Sequence, residues 1–140
     1  MKAIIISIPA KPITKQKNHL IIDNGIGIDN ATIVIKKTDL AFKIGIDYLL
    51  KTDSFDYIIR ADKGAKESDI NKILDFYKKG CKSRIVGIGR NDNFICEVIE
   101  NGYKIQYVRQ IKSNVIVYPL EAVKLILKDN LRGYDFIQIL

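Results

Sequence analysis

Asp56-Tyr57-Ile58-Ile59-Arg60-Ala61-Asp62-Lys63-Gly64 is the stretch on which the reading of the fold turns. Aromatic and β-branched residues suited to a buried strand break off into alternating charges and a glycine. A hydrophobic element of this kind delivers polar groups to one edge of a sheet. Open α/β sheets bind their ligands just outside the carboxyl ends of the strands, so the charged end of this stretch is a candidate site. Immediately upstream, Leu40 to about Lys51 has a broad apolar face that includes Phe42, Ile44, Ile46 and Leu49, with Asp39 as the expected helix cap. Helix, strand and charged edge together make half of a parallel crossover unit.

Downstream, Ile70, Ile73, Leu74 and Tyr77 fall at helical spacing behind Ser68 as a cap, and Lys78, Lys79 and Gly80 end the helix. A further strand lies within Ser83 to Gly89. Phe94 to Glu100 and Tyr103 to Val108 then flank Asn101-Gly102, a strong hairpin signal. Asn114 to Tyr118 reads as a strand. Pro119 suits the first turn of a helix running to about Leu131, and Tyr134 to Leu140 is an apolar, strand-like end.

At the other end, Ala3 to Ile8 is a continuous apolar run of the kind buried on both faces of a parallel sheet. Pro9 and Pro12 stop it, and Ala10 to Asn18 reads as an exposed basic loop, lying over a bound anion or simply solvated. His19 to Ile22 is a second strand. It runs into Asp23-Asn24-Gly25-Ile26-Gly27-Ile28-Asp29, a tight loop whose glycines allow positive φ and close approach to a ligand. Thr32 to Lys36 is a third short strand.

A chain of 140 residues fits one domain, 1–140, able to bury roughly two thirds of its unfolded surface. No apolar run reaches the roughly 18 to 20 residues of a membrane span, and a soluble cytoplasmic protein is the expectation. The formal charge of +7 favours an anionic partner, whether nucleic acid, a nucleoside diphosphate or an acidic membrane surface. Cys81, Cys96 and His19 are too few for the usual four ligands of a structural zinc. The two cysteines read as reduced, mostly buried thiols.

Taken in order, the pieces from about Ile4 to Gly89 resemble the nucleotide-sugar half of family 2 glycosyltransferases with the GT-A fold. The resemblance rests on Ser7-Ile8-Pro9 after the first strand and Ile22-Asp23-Asn24-Gly25 with Asp29 after the second. It continues through the helix Asp39-Leu40-Ala41-Phe42-Lys43-Ile44-Gly45-Ile46-Asp47. Asp56-Tyr57-Ile58 with Arg60-Ala61-Asp62, then Val86-Gly87, complete it. It implies an α/β, Rossmann-related, mostly parallel sheet flanked by helices, followed by an antiparallel ribbon. It also implies a UDP- or GDP-linked sugar donor, an acceptor that the residues do not specify, and glycosyl transfer as the activity. Pro9, Asp23 and Asn24 would then line the base and ribose site, with Asp62 at the diphosphate or at a Mn²⁺ or Mg²⁺ ion. Arg60 and Lys63 would be its electrostatic partners.

The chain departs from that pattern in two places. A lysine-rich loop replaces the helix expected between the first two strands. Arginine stands where the first carboxylate of the metal motif belongs, so Arg60 is either a metal-free partner for a diphosphate or one half of a structural pair with Asp62 across positions i and i+2. No general base is identified; Asp92, Glu97 and Glu100 are the available carboxylates. Two other classes fit the composition. One is a basic nucleic-acid-binding module using Tyr103, Tyr107 and Arg109. The other is a non-catalytic interaction protein of glycosyltransferase type, able to pair as a homodimer through the edge of Tyr134 to Leu140.

Overall fold

The computed structural model describes residues 2–62, 64–80, 84–131 and 133–140. Lys63 and Cys81, both singled out in the sequence, lie outside the described residues. In chain order the elements are β1 Ala3–Ser7, β2 His19–Asn24, β3 Ile33–Ile35, α1 Ala41–Thr52, β4 Tyr57–Ala61, α2 Glu67–Lys78, β5 Arg84–Ile88, β6 Phe94–Glu100, β7 Tyr103–Val108, β8 Val115–Pro119, α3 Leu120–Ile126 and β9 Asp135–Ile139.

Among the described residues nine strands form one sheet in the order β3-β2-β1-β4-β8-β5-β9-β7-β6. The first half is parallel, with β1 between β2 and β4 and Ser7 opposite Ala61 at the carboxyl ends. β8 then runs antiparallel between β4 and β5. β9 is parallel to β5 but antiparallel to β7, and β6 closes the far edge as the partner of β7 in an antiparallel hairpin.

This overturns the expected GT-A-like, mostly parallel sheet flanked by helices. The sheet is mixed, strands dominate it, and the three helices among the described residues are short. Short apolar runs reveal that a strand is buried, but not the direction of its neighbours. The terminal strand is corrected for the same reason. β9 lies between β5 and β7, so both of its edges are already paired and neither is open to a second chain.

Alternation along β4 divides the core. Ile58 faces Phe42, Ile46 and Leu49 of α1 and Val123 and Ile126 of α3. Tyr57 and Ile59 face Ile73, Phe76 and Tyr77 of α2 on the opposite side. Each large apolar side chain so buried contributes about 1.5–3 kcal/mol. Gly45 lets α1 sit close to the sheet, since a Cβ there would lie 2.7 Å from Ile22 Cδ1.

Neither expected helix cap is used. The residue before α1 is Leu40, whose N–H is accepted by Thr38 Oγ1 at 3.2 Å, and the residue before α2 is Lys66. α3 ends at Ile126, short of Leu131. The hairpin turn is as the sequence indicates, with φ of 53° at Asn101 and 79° at Gly102. Cys96, expected to be buried, is an exposed thiol on β6.

Candidate functional site

The chain leaves β1 toward β2 and β3 on one side, then returns through α1 to β4 on the other. β1 and β4 are therefore neighbours at a switch in strand order, where a crevice opens at the carboxyl ends. A cavity of about 820 Å³ occupies this place on the α2 side of the sheet. β1 contributes Ile5 and Ser7, β4 contributes Ala61, and α2 contributes Ile70, Asn71 and Leu74. The basic loop after β1 lines it with Pro9, Lys11, Ile13 and Lys17, and Asp62 and Glu67 add two carboxylates. Apolar walls with a few converging polar groups are the usual make-up of a small-molecule site.

The cavity follows from the missing helix. Parallel strands are usually joined by a helix that covers one face of the sheet. Here the connection between β1 and β2 is a loop without helix or strand, and the face beside α2 stays concave.

His19 and Ser7 form the polar centre of this wall. Ser7 Oγ and His19 Nε2 are 2.7 Å apart, and the Gln16 backbone N–H donates to His19 Nδ1 at 2.9 Å. Burial, reinforced by the positive charge of Lys15, lowers the imidazole below its ordinary value. Neither His19 nor Lys11 and Lys17 had been singled out as site residues in the sequence. The available signal was an unpaired histidine opening a strand directly after a basic loop.

The sequence-derived candidates divide between this cavity and other places. Pro9 and Asp62 line it. Arg60 does not; strand alternation turns it to the α1 side, where its guanidinium lies 4.5 Å from the centroid of the Phe42 ring. Its Nε donates to Asp62 Oδ1 at 2.9 Å, and both side chains are about one-third exposed, at 33% and 34%. The i, i+2 pair allowed by the sequence is thus formed. Tyr118 borders it; burial raises its phenol, Arg60 opposes that shift and Asp62 adds to it.

Asp23 and Asn24 are engaged with their own chain. Asp23 Oδ1 accepts the N–H of Ile26 at 2.8 Å, Oδ2 accepts that of Ile28 at 2.9 Å, and both oxygens share the N–H of Gly27 at 3.1 Å. These bonds, led by that from Ile26, hold the carboxyl below the usual carboxylate range. Gly25 and Gly27 take φ of 80° and 86°, as a tight loop requires, but the amides turn inward onto Asp23. Asn24 bridges to Thr38, accepting its N–H and donating to its carbonyl, both at 2.9 Å.

A Mn²⁺ or Mg²⁺ ion finds a poor match at Asp62. One of its oxygens already faces a guanidinium, and among the described residues no group of three or more His, Cys, Asp or Glu side chains could hold a metal ion. In the hairpin, the Tyr103 hydroxyl donates to Asp75 and the Tyr107 hydroxyl accepts from Arg84 Nη1 at 3.0 Å. Both rings pack against the core on the α2 side. Among the described residues no helix is long and apolar enough to cross a membrane.

No protein-family model, curated protein or solved structure matches this chain.

Proposed function

We propose that the cavity at the carboxyl ends of β1 and β4 binds a nucleoside-diphosphate sugar, with glycosyl transfer as the associated activity. The observation that carries this reading is the composition of the cavity at the strand-order switch. Lys11 and Lys17 supply cations for a diphosphate, while Asp62, Glu67 and Asn71 supply acceptors and donors for sugar hydroxyls. Apolar side chains of β1 and α2 supply a surface for the base. A ligand that is anionic at one end and hydroxyl-rich at the other matches such mixed lining better than a simple anion does. Lys11 and Lys17 here take the electrostatic role that the sequence reading gave to Arg60, because Arg60 is committed to Asp62 and Phe42.

The test is thermal unfolding with UDP, GDP and their sugars, each with Mn²⁺ or with EDTA, beside a short single-stranded nucleic acid. A ligand of the native state at about 100 times its Kd adds roughly 2.7 kcal/mol. Stabilisation by a nucleotide sugar, retained in EDTA and weakened in Asp62→Ala and in a Lys11→Ala, Lys17→Ala double variant that still folds, is the expected result. No response to any nucleotide, with salt-sensitive stabilisation by the nucleic acid, would move the function to the nucleic-acid class.

A further inference from the structure

The loop between β1 and β2 forms one side of the cavity, and two side chains from outside it reach its backbone. Asn30 Nδ2 donates to the Ile13 carbonyl at 2.9 Å, and His19 Nδ1 accepts the Gln16 N–H at 2.9 Å. The second contact fixes the state of the ring. A backbone N–H can only donate, so Nδ1 carries a lone pair, and the proton of the neutral imidazole sits on Nε2. Nε2–H then donates to Ser7 Oγ. Ser7 is an acceptor in this pair, and an imidazole in this tautomer cannot take its proton as a general base would.

Protonation would place a second N–H on Nδ1, directly against the Gln16 N–H. Two donors would face each other, the hydrogen bond would be lost, and the loop would lose one of these two ties. We propose that His19 is a proton-operated latch on the loop covering the cavity, closed while the ring is neutral and released when it is charged. The proposal deepens the reading of the cavity as the ligand site, and rests on it.

Lys15 of the loop is the charge that acts on the ring and β1 presents the neutral Ser7, while the cavity that the ring lines also receives Lys11 and Lys17 from the loop, Asp62 from the end of β4 and Glu67 from α2. Burial and Lys15 keep the native ring neutral to lower pH than a free histidine, whose ordinary value is 6.5. The latch is therefore fully closed above that value and is released as pH falls through the lower native one. Loss of this hydrogen bond raises the open fraction of the loop by about fivefold.

His19 is the sole histidine of the chain, so its ring nitrogens give a single pair of NMR signals. In the ¹⁵N-labelled protein these signals, and exchange of the Gln16 amide, are followed from about pH 8 to about pH 5, the range where histidine titrates. The expected result is the Nε2-protonated tautomer at high pH, and a Gln16 exchange rate that, divided by its intrinsic rate at each pH, rises about fivefold at the same midpoint as the ring, while the same ratio for the core amide of Ile59 is unchanged. His19→Leu should leave the loop fast-exchanging at every pH. If that variant does not fold, Gln16→Pro removes the donor without touching the ring, and the amides of Lys15 and Lys17, each compared with its intrinsic rate, should then exchange fast at every pH with no dependence on the ring's titration. An Nδ1-protonated tautomer, or Gln16 exchange that, relative to its intrinsic rate, ignores the ring's titration, overturns the latch. These readings need no nucleotide, so failure of every nucleotide to bind would remove the proposed ligand while the latch is judged on its own signals.

Discussion

Replacing Gln138 with leucine should be among the most damaging single changes in this protein. Gln138 lies in β9, fully buried, opposite Gly87 of β5 and Gln106 of β7. Its carboxamide makes four hydrogen bonds. Oε1 accepts from Asn91 Nδ2 at 3.0 Å and from the Lys112 N–H at 2.8 Å. Nε2 donates to the carbonyls of Gly89 at 2.8 Å and Lys112 at 3.0 Å. Leucine fills nearly the same volume, so the loss is one of hydrogen bonds rather than packing. At about 1 kcal/mol net for each bond, the cost is about 4 kcal/mol. That is a large part of the roughly 5–15 kcal/mol by which domains are stable. At about 3 °C per kcal/mol for a chain of this size, Tm should fall by roughly 12 °C. Urea unfolding of both proteins gives the difference directly, with a lower midpoint and an unchanged slope. A loss below about 1 kcal/mol would refute the reasoning, because it would mean that water or a shifted backbone satisfies all four partners.

Four further outcomes follow from other parts of the structure. Asp23→Ala should expose the amides of Ile26, Gly27 and Ile28 to fast hydrogen exchange. Because that carboxyl is held below its usual range, its contribution to stability is complete above the ordinary value of 3.8 and is lost as pH falls through its lower native value; acid unfolding of wild type and Asp23→Asn checks the sign. A double-mutant cycle on Arg60 and Asp62 should give a coupling of only about 0.5–1 kcal/mol, since both groups are partly in water. Cys96 should react with a thiol reagent in the native protein without denaturant, and a thiol there that reacts only on unfolding would contradict its place on the exposed strand β6.

Local signals in the sequence located most elements, because they depend on neighbours along the chain. The spacing of Ile70, Ile73 and Tyr77 placed α2, and Asn101-Gly102 placed the hairpin. The polarity of the sheet was not legible in this way. Nothing in Val115–Pro119 distinguishes a strand that runs against β4 from one that runs with it, and the apolar end of the chain looks the same whether it forms an edge or lies between β5 and β7. The buried amides of Gln106 and Gln138 were equally silent, since a glutamine in a strand gives no sign of partners that come from distant loops.

The candidate site was legible in part for the same reason. Asp62 at the end of an apolar run could be found from local pattern and Pro9 only through the family resemblance, and both line the cavity. The loop of Asp23 to Asp29 was recognisable from its glycines, but whether its amides turn toward a ligand or onto its own carboxylate depends on a fold that composition does not encode. Which of the two roles left open for Arg60 is taken was hidden by the same limit. Its neighbours Phe42 and Tyr118 come from α1 and β8, far away along the chain.

The central claim is that the crevice between the ends of β1 and β4 is where this protein meets its ligand. The most direct measurement is titration of the ¹⁵N-labelled protein with a UDP-sugar and a GDP-sugar, following the backbone amides. The account predicts saturable shifts concentrated at Ser7, Lys11, Lys17, Ala61, Asp62 and Asn71, with the hairpin of β6 and β7 unaffected. Saturable shifts confined to the Asp23 to Asp29 loop or to that hairpin, or no shifts at any nucleotide concentration, would contradict it.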